Sequence, residues 1–75
     1  MSALKQIKKR VKELEKNSDM LDLSAINIGT ITPEIRKEME KCKNISCLNL
    51  QECALESLDN LPNWKIQVLD LSENK

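Results

Sequence analysis

The chain of 75 residues has room for one small core, and the apolar side chains available for it are nearly all aliphatic: no Phe, no Tyr and one Trp, Trp64. That composition suits thin layers of Leu and Ile and excludes a deep aromatic-lined ligand pocket. Twelve basic and twelve acidic residues cancel overall, but Lys5, Lys8, Lys9, Arg10, Lys12 and Lys16 against Glu13 and Glu15 leave residues 1–16 at +4 and the rest at −4.

Residues 2–16 read as an amphipathic helix, with Leu4, Ile7, Val11 and Leu14 at three-to-four spacing and Ser2 as N-cap. The basic residues crowd the opposite face. The expected role is a cap over the open end of a repeat stack. The alternatives are a basic surface for phosphates or anionic membrane, and a coiled coil, for which two heptads are too few. The absence of aromatic residues from the helix weighs against membrane insertion.

Next comes Leu21-Asp-Leu23-Ser-Ala-Ile26-Asn-Ile28, a loose match to the leucine-rich-repeat pattern L-x-x-L-x-L-x-x-N/C-x-L, with Ile26 in the Asn/Cys slot. Thr32-Pro33-Glu34-Ile35 is then a helix start, with Thr as N-cap and Pro at the first helical position. Ile35, Met39 and Cys42 are expected to face inward from this helix on the convex side. Ile45-Ser-Cys-Leu48-Asn-Leu50-Gln-Glu-Cys53-Ala-Leu55 fits the repeat pattern at every specified position. From Glu56 to Lys65 the return is too short for a full helix, so turns or a 3₁₀ segment are expected, with Leu58 and Leu61 as core points and Pro62 as a breaker. Trp64 is expected to pack on the convex edge. Twenty-one residues after the second repeat, Ile66-Gln-Val-Leu69-Asp-Leu71-Ser-Glu-Asn74 begins a third, with Asn in the slot that Cys53 fills.

The spacing has a physical basis. In L-x-L both leucines point inward from a short parallel strand while the intervening residue points out. The Asn or Cys then sits where the chain leaves the strand, and its polar group satisfies backbone groups that the turn leaves unpaired inside the coil. Cys53 does this more weakly than Asn74. One unit cannot bury itself, so only stacking makes a core. The expected fold is therefore α/β: a right-handed leucine-rich-repeat solenoid with short parallel strands on the concave side. Its expected parts are a capping helix (1–17), repeat 1 (18–44), repeat 2 (45–65) and an incomplete repeat 3 (66–75). The competing fold, a small helical bundle, must explain Leu-Asp-Leu-Ser at both 21–24 and 69–72. Leu50 and Leu71 are expected core positions, whereas Asn49→Ala is expected to cost little.

The absence of His removes Ser-His and Cys-His nucleophile pairs and histidine bases, and one glycine, Gly29, cannot build a phosphate-cradling loop. Cys42, Cys47 and Cys53 lack C-x-x-C spacing and a fourth ligand, so neither a metal nor another cofactor is expected, and no enzymatic activity. Cys42 and Cys53 read as core, Cys47 as a free thiol facing outward. An odd number of cysteines without a signal-like start suggests a reducing intracellular setting, and no apolar run approaches spanning length.

The outward strand positions form the candidate binding face: Met20, Asp22 and Ser24; Cys47, Asn49 and Gln51; Val68, Asp70 and Ser72. It is small, polar and mildly acidic, either a solvated sheet face or a site for a basic partner. Three strands at roughly 4.8 Å span only about 10 Å, far short of the roughly 800 Å² per partner of a stable interface. The sheet edge at the last strand is expected to be exposed, which invites self-association. Either Lys75 is the end of a piece of a longer protein, or another copy covers that strand.

The stretch from Glu40 to Lys75 resembles the opening repeats of the acidic leucine-rich nuclear phosphoprotein family. The resemblance lies in Ile45-Ser-Cys-Leu-Asn-Leu, Leu55-Glu-Ser-Leu-Asp-Asn-Leu-Pro62 and Val68-Leu-Asp-Leu-Ser-Glu-Asn74-Lys75. The basic helix before a weak first repeat is similar too. L-x-x-L-x-N-L-P followed by L-x-L-S-x-N also occurs in protein phosphatase 1 regulators and dynein light-chain-type repeats. The resemblance implies a right-handed repeat domain that binds histones, acts in chromatin and transcription, inhibits a phosphatase and moves between nucleus and cytoplasm. The acidic tail that follows the repeats in that family has no counterpart here, so its histone binding does not transfer. What carries over is a polar concave face including Asp22, Asn49 and Asp70. The functional expectation is thus a protein-binding module for a basic, histone-like protein or a phosphatase, with no direct nucleic-acid or membrane contact. The alternative is a structural, cytoskeletal or dynein-associated repeat fragment.

Overall fold

A computed structural model describes residues 2–14 and 18–74. Helix α1 (Ala3–Glu13) begins as its sequence dictates: the Ser2 hydroxyl accepts the Lys5 N–H at 3.2 Å. Ile7 is fully buried, with Leu4, Val11 and Leu14 packed around the core edge. The helix ends at Glu13, one residue before Leu14 leaves helical geometry. Residues 15 and 16 of the expected helix lie outside the described residues.

Strands β1 (Met20–Asp22), β2 (Cys47–Asn49) and β3 (Val68–Asp70) form one parallel sheet in the order β1-β2-β3. The register is uniform, Leu21 beside Leu48 beside Leu69, so both sequence periods return the chain to the same place. Helix α2 (Pro33–Met39) crosses from β1 to β2. The Thr32 hydroxyl caps the Ile35 N–H at 3.2 Å and Pro33 occupies the first turn. Ile35, Met39 and Cys42 are buried as expected, although regular helix stops at Met39 and turns carry the chain on to Cys42. The return from Glu56 to Lys65 consists of turns and extended chain. It is tied to the preceding layer by the Trp64 indole, whose Nε1–H donates to Cys42 O at 3.0 Å, and by Asn60 Nδ2, which donates to Ile31 O at 3.0 Å.

Three turns repeat in backbone detail. After each strand comes a non-glycine residue with left-handed φ at an equivalent place: Ala25 (61°), Glu52 (56°) and Glu73 (62°). Such residues cost about 1–2 kcal/mol each, and each is followed directly by the slot residue, Ile26, Cys53 or Asn74. Asn74 is the most connected of the three. Its Oδ1 accepts from Cys53 N (3.0 Å) and Leu55 N (2.9 Å), while Nδ2 donates to Leu50 O (2.8 Å) and Leu71 O (2.9 Å). Cys53 reaches only carbonyls, with Sγ 3.0 Å from Leu23 O and 3.6 Å from Gln51 O. Burial pushes the Cys53 thiol up and keeps it a protonated donor. Ile26 has no earlier coil to bond, so an apolar side chain buried against the core suffices there.

Two inward assignments are corrected. Leu58 is 45% exposed and Leu69 38% exposed, because among the described residues no layer lies beyond β3 to cover them. Leu71 is only partly buried for the same reason, whereas Leu50, between two layers, is fully buried. Leu50→Ala should therefore destabilise by about 2–5 kcal/mol. Leu71→Ala should cost clearly less when both are measured by urea titration; equal losses would contradict the layer order.

Candidate functional site

The structure gathers the nine outward residues into three rows across the sheet. Met20, Cys47 and Val68 align in one, and Asp22, Asn49 and Asp70 in the next. Ser24, Gln51 and Ser72 follow, joined through Ala25 N to Gln51 O (2.9 Å) and Glu52 N to Ser72 O (3.2 Å). Met20 and Val68 are 55% and 57% exposed, with the half-buried Cys47 between them. The first row is thus an apolar strip, although the sequence suggested a polar face. A shallow hollow of about 180 Å³ lies along this strip and the Asn49–Asp70 side chains. That is below the roughly 300 Å³ at which small-molecule sites begin. Larger open hollows lie elsewhere, beside Trp64 and at the end of the stack beside Leu58 and Leu71.

The middle row is structural as well as exposed. Asp22 Oδ1 accepts Ser24 N (2.9 Å), Asn49 Oδ1 accepts Gln51 N (3.0 Å) and Asp70 Oδ1 accepts Ser72 N (3.0 Å). Each is an Asx turn, which ends the strand and sets up the left-handed residue after it. Asn49 is therefore a cap, and the expectation that its loss would cost little is corrected. The signal was present as Asx-Leu-Ser/Gln at 22–24, 49–51 and 70–72. Hydrogen bonds from the hydroxyl and N–H of Ser24 hold Asp22 below the usual aspartate value, helped by Arg10. Those of Ser72 do the same for Asp70. Both are carboxylates at neutral pH, with a neutral amide between them. A third carboxylate at position 49 would stack like charges at strand spacing.

One contact at the sheet edge escaped the sequence reading. Arg10 does not belong to the solvated basic face of α1. Its Nη1 donates to Asp22 O (3.0 Å) and lies 3.8 Å from Asp22 Oδ1, and Nη2 donates to Ser24 O (3.4 Å). The equivalent carbonyls of the next layer, Asn49 O and Gln51 O, accept the N–H groups of Leu23 and Ala25. Arg10 thus supplies at the sheet's first edge what a preceding strand would otherwise donate. Helical spacing puts Arg10, three residues after Ile7 and four before Leu14, at the flank of the buried stripe, while Lys8, Lys9 and Lys12 are exposed, but it cannot reveal which carbonyls Arg10 meets.

Among the described residues, no group of three or more Cys, Asp or Glu could hold a metal ion. No helix among them is long and apolar enough to cross a membrane. The chain matches no protein-family model, no curated protein and no solved structure.

All three cysteines are free, but only Cys47 reaches the surface. Native protein should react with an aromatic disulfide reagent at one thiol, and urea-unfolded protein at three; rapid native modification of Cys42 or Cys53 would contradict their burial. For Asp22, whose folded pKa is depressed, the stabilisation is full above the unfolded value and is lost as pH falls through the folded one. Thermal stability should therefore decline below about pH 4. Asn49→Asp keeps the cap but adds a repelling charge, so it should lower the melting temperature at neutral pH, and the difference from wild type should shrink as pH falls and the carboxylates protonate. A pH-independent difference would exclude like-charge repulsion as the cause.

Proposed function

We propose that the chain is a right-handed leucine-rich-repeat solenoid acting as a non-enzymatic protein-binding module. In this reading it works inside the cell, in nucleus or cytoplasm, in the manner of the acidic leucine-rich nuclear phosphoproteins. The solenoid reading is supported by the uniform register and by the same Asx turn, left-handed residue and slot in every coil. The intracellular reading draws on three unpaired cysteines.

The observation that carries the binding function is the pairing of two rows: exposed Met20 and Val68 beside ionised Asp22 and Asp70. An apolar strip flanked by carboxylates suits lysine or arginine side chains, whose aliphatic stems lie along apolar surface while the cationic head meets the acid. The preferred partner is a basic polypeptide segment of histone-tail character. The exposed edge of β3 favours the second reading, a structural repeat that works by assembly.

Fluorescence anisotropy of a labelled Lys/Arg-rich histone-tail peptide tests the first reading. The wild-type chain should bind it with micromolar affinity that weakens with salt. The double change Asp22→Asn and Asp70→Asn keeps both Asx caps and should reduce affinity severalfold, as should Met20→Ser with Val68→Ser. Equal binding by wild type and both variants, or none by wild type, would remove this face as the site.

A further inference from the structure

The two edges of the sheet are finished differently. At the β1 edge, Arg10 occupies the Asp22 and Ser24 carbonyls and α1 packs alongside. At the β3 edge the ladder continues without an occupant among the described residues. Asp70 O and Ser72 O face β2, where they accept from Leu50 N and Glu52 N. By the alternation of a strand, the N–H and C=O of Leu69 face outward, and so do the N–H groups of Leu71 and Glu73 by their equivalence to Leu50 and Glu52, whose N–H groups donate to the next layer. Beside them lie the exposed side chains of Leu58 and Leu69. Unpaired ladder groups next to uncovered leucines form a template for another strand.

We infer that this edge pairs with the β3 edge of a second copy, antiparallel, about a two-fold axis perpendicular to the sheet through Leu69. A head-to-tail contact is closed off because Arg10 and α1 already cover the β1 edge; only like edges can meet, and the assembly stops at two. Leu69 opposite its own copy exchanges both of its backbone hydrogen bonds, and Leu71 N–H meets the other copy's Gln67 C=O. A register centred on Leu71 is poorer, because Leu71 O is taken by Asn74 (2.9 Å). One centred on Asp70 sets two carboxylates face to face.

The Leu69 register has a further consequence. Residues equally far before and after the axis meet, so exposed Lys65 of each copy approaches exposed Glu73 of the other. The chain thus carries opposite charges at the two positions that this symmetry brings together. Rotation about the sheet normal keeps both outward faces on one side and joins the two apolar ends on the other. The largest section of the molecule, 31 × 26 Å, limits the contact to the smaller class of dimers. The outward face would then span six strands, about 25 Å, which deepens the binding proposal without depending on it.

Sedimentation equilibrium of the full chain over a wide concentration range tests the pairing, with far-UV circular dichroism as the control for folding. A monomer–dimer equilibrium is expected, abolished by Leu69→Lys. The exposed changes Lys65→Glu and Glu73→Lys should each weaken dimerisation severalfold, on the scale of two surface ion pairs, and together restore it. Four results would each overturn the inference: a monomer at every concentration, species larger than a dimer, a folded Leu69→Lys variant that still dimerises, or a double charge swap that fails to rescue. None of them bears on the histone-tail titration, in which a monomer can still bind through Met20, Asp22, Val68 and Asp70.

Discussion

A coil of twenty-odd residues cannot close around its own backbone. Its turn leaves N–H and C=O groups pointing into an interior where water does not reach, and an unpaired buried polar group costs about 1–3 kcal/mol. Each coil here resolves this by handing those groups to its neighbour. Leu23 and Ala25 donate to the second layer, Leu50 and Glu52 to the third, and Asn74 reaches back to Leu50 O, Cys53 N and Leu55 N. Because that exchange is possible only in register, Leu21, Leu48 and Leu69 fall side by side and the apolar layers follow.

The same constraint accounts for the differences between coils. A middle layer has neighbours on both sides, and its leucines, Leu48 and Leu50, are fully buried. The first layer has no coil before it, so α1 covers its apolar side with Ile7 and its free carbonyls receive Arg10. The slot residue changes accordingly, from Ile26 with nothing to bond, through Cys53 with two carbonyls, to Asn74 with both donors and acceptors. Side-chain polarity at this position tracks how many backbone groups the local geometry strands.

The candidate binding face and the fold draw on the same residues. Asp22, Asn49 and Asp70 close turns with one carbonyl or carboxylate oxygen. The turns orient the side chains in a row, and the alternation of two acids around one amide keeps the row anionic without stacking three charges. Binding chemistry here is a by-product of strand termination plus the exposed apolar row of Met20 and Val68. Face and edge are separable: one uses side chains perpendicular to the sheet, the other backbone groups in its plane.

The strand positions, both helix starts, the burial of Cys42 and Cys53 and the nine outward residues were legible in the sequence, because period-two alternation and N-cap chemistry depend on residues within one turn or strand. The Asx caps were legible in principle and were missed, since Asn49 was judged only by the direction it faces. Arg10's partners were not legible: its spacing from Ile7 and Leu14 puts it beside the buried stripe, but its role exists only because the fold brings α1 beside the edge carbonyls of Asp22 and Ser24. The exposure of Leu58 and Leu69 was likewise beyond local pattern, because burial depends on whether another layer stands beyond. The sequence by itself determined the strand positions, their inward and outward alternation and the helix starts, all set by short-range periodicity. Only the tertiary structure decided which leucines are covered and which polar atoms are already spent, because those depend on neighbours distant along the chain.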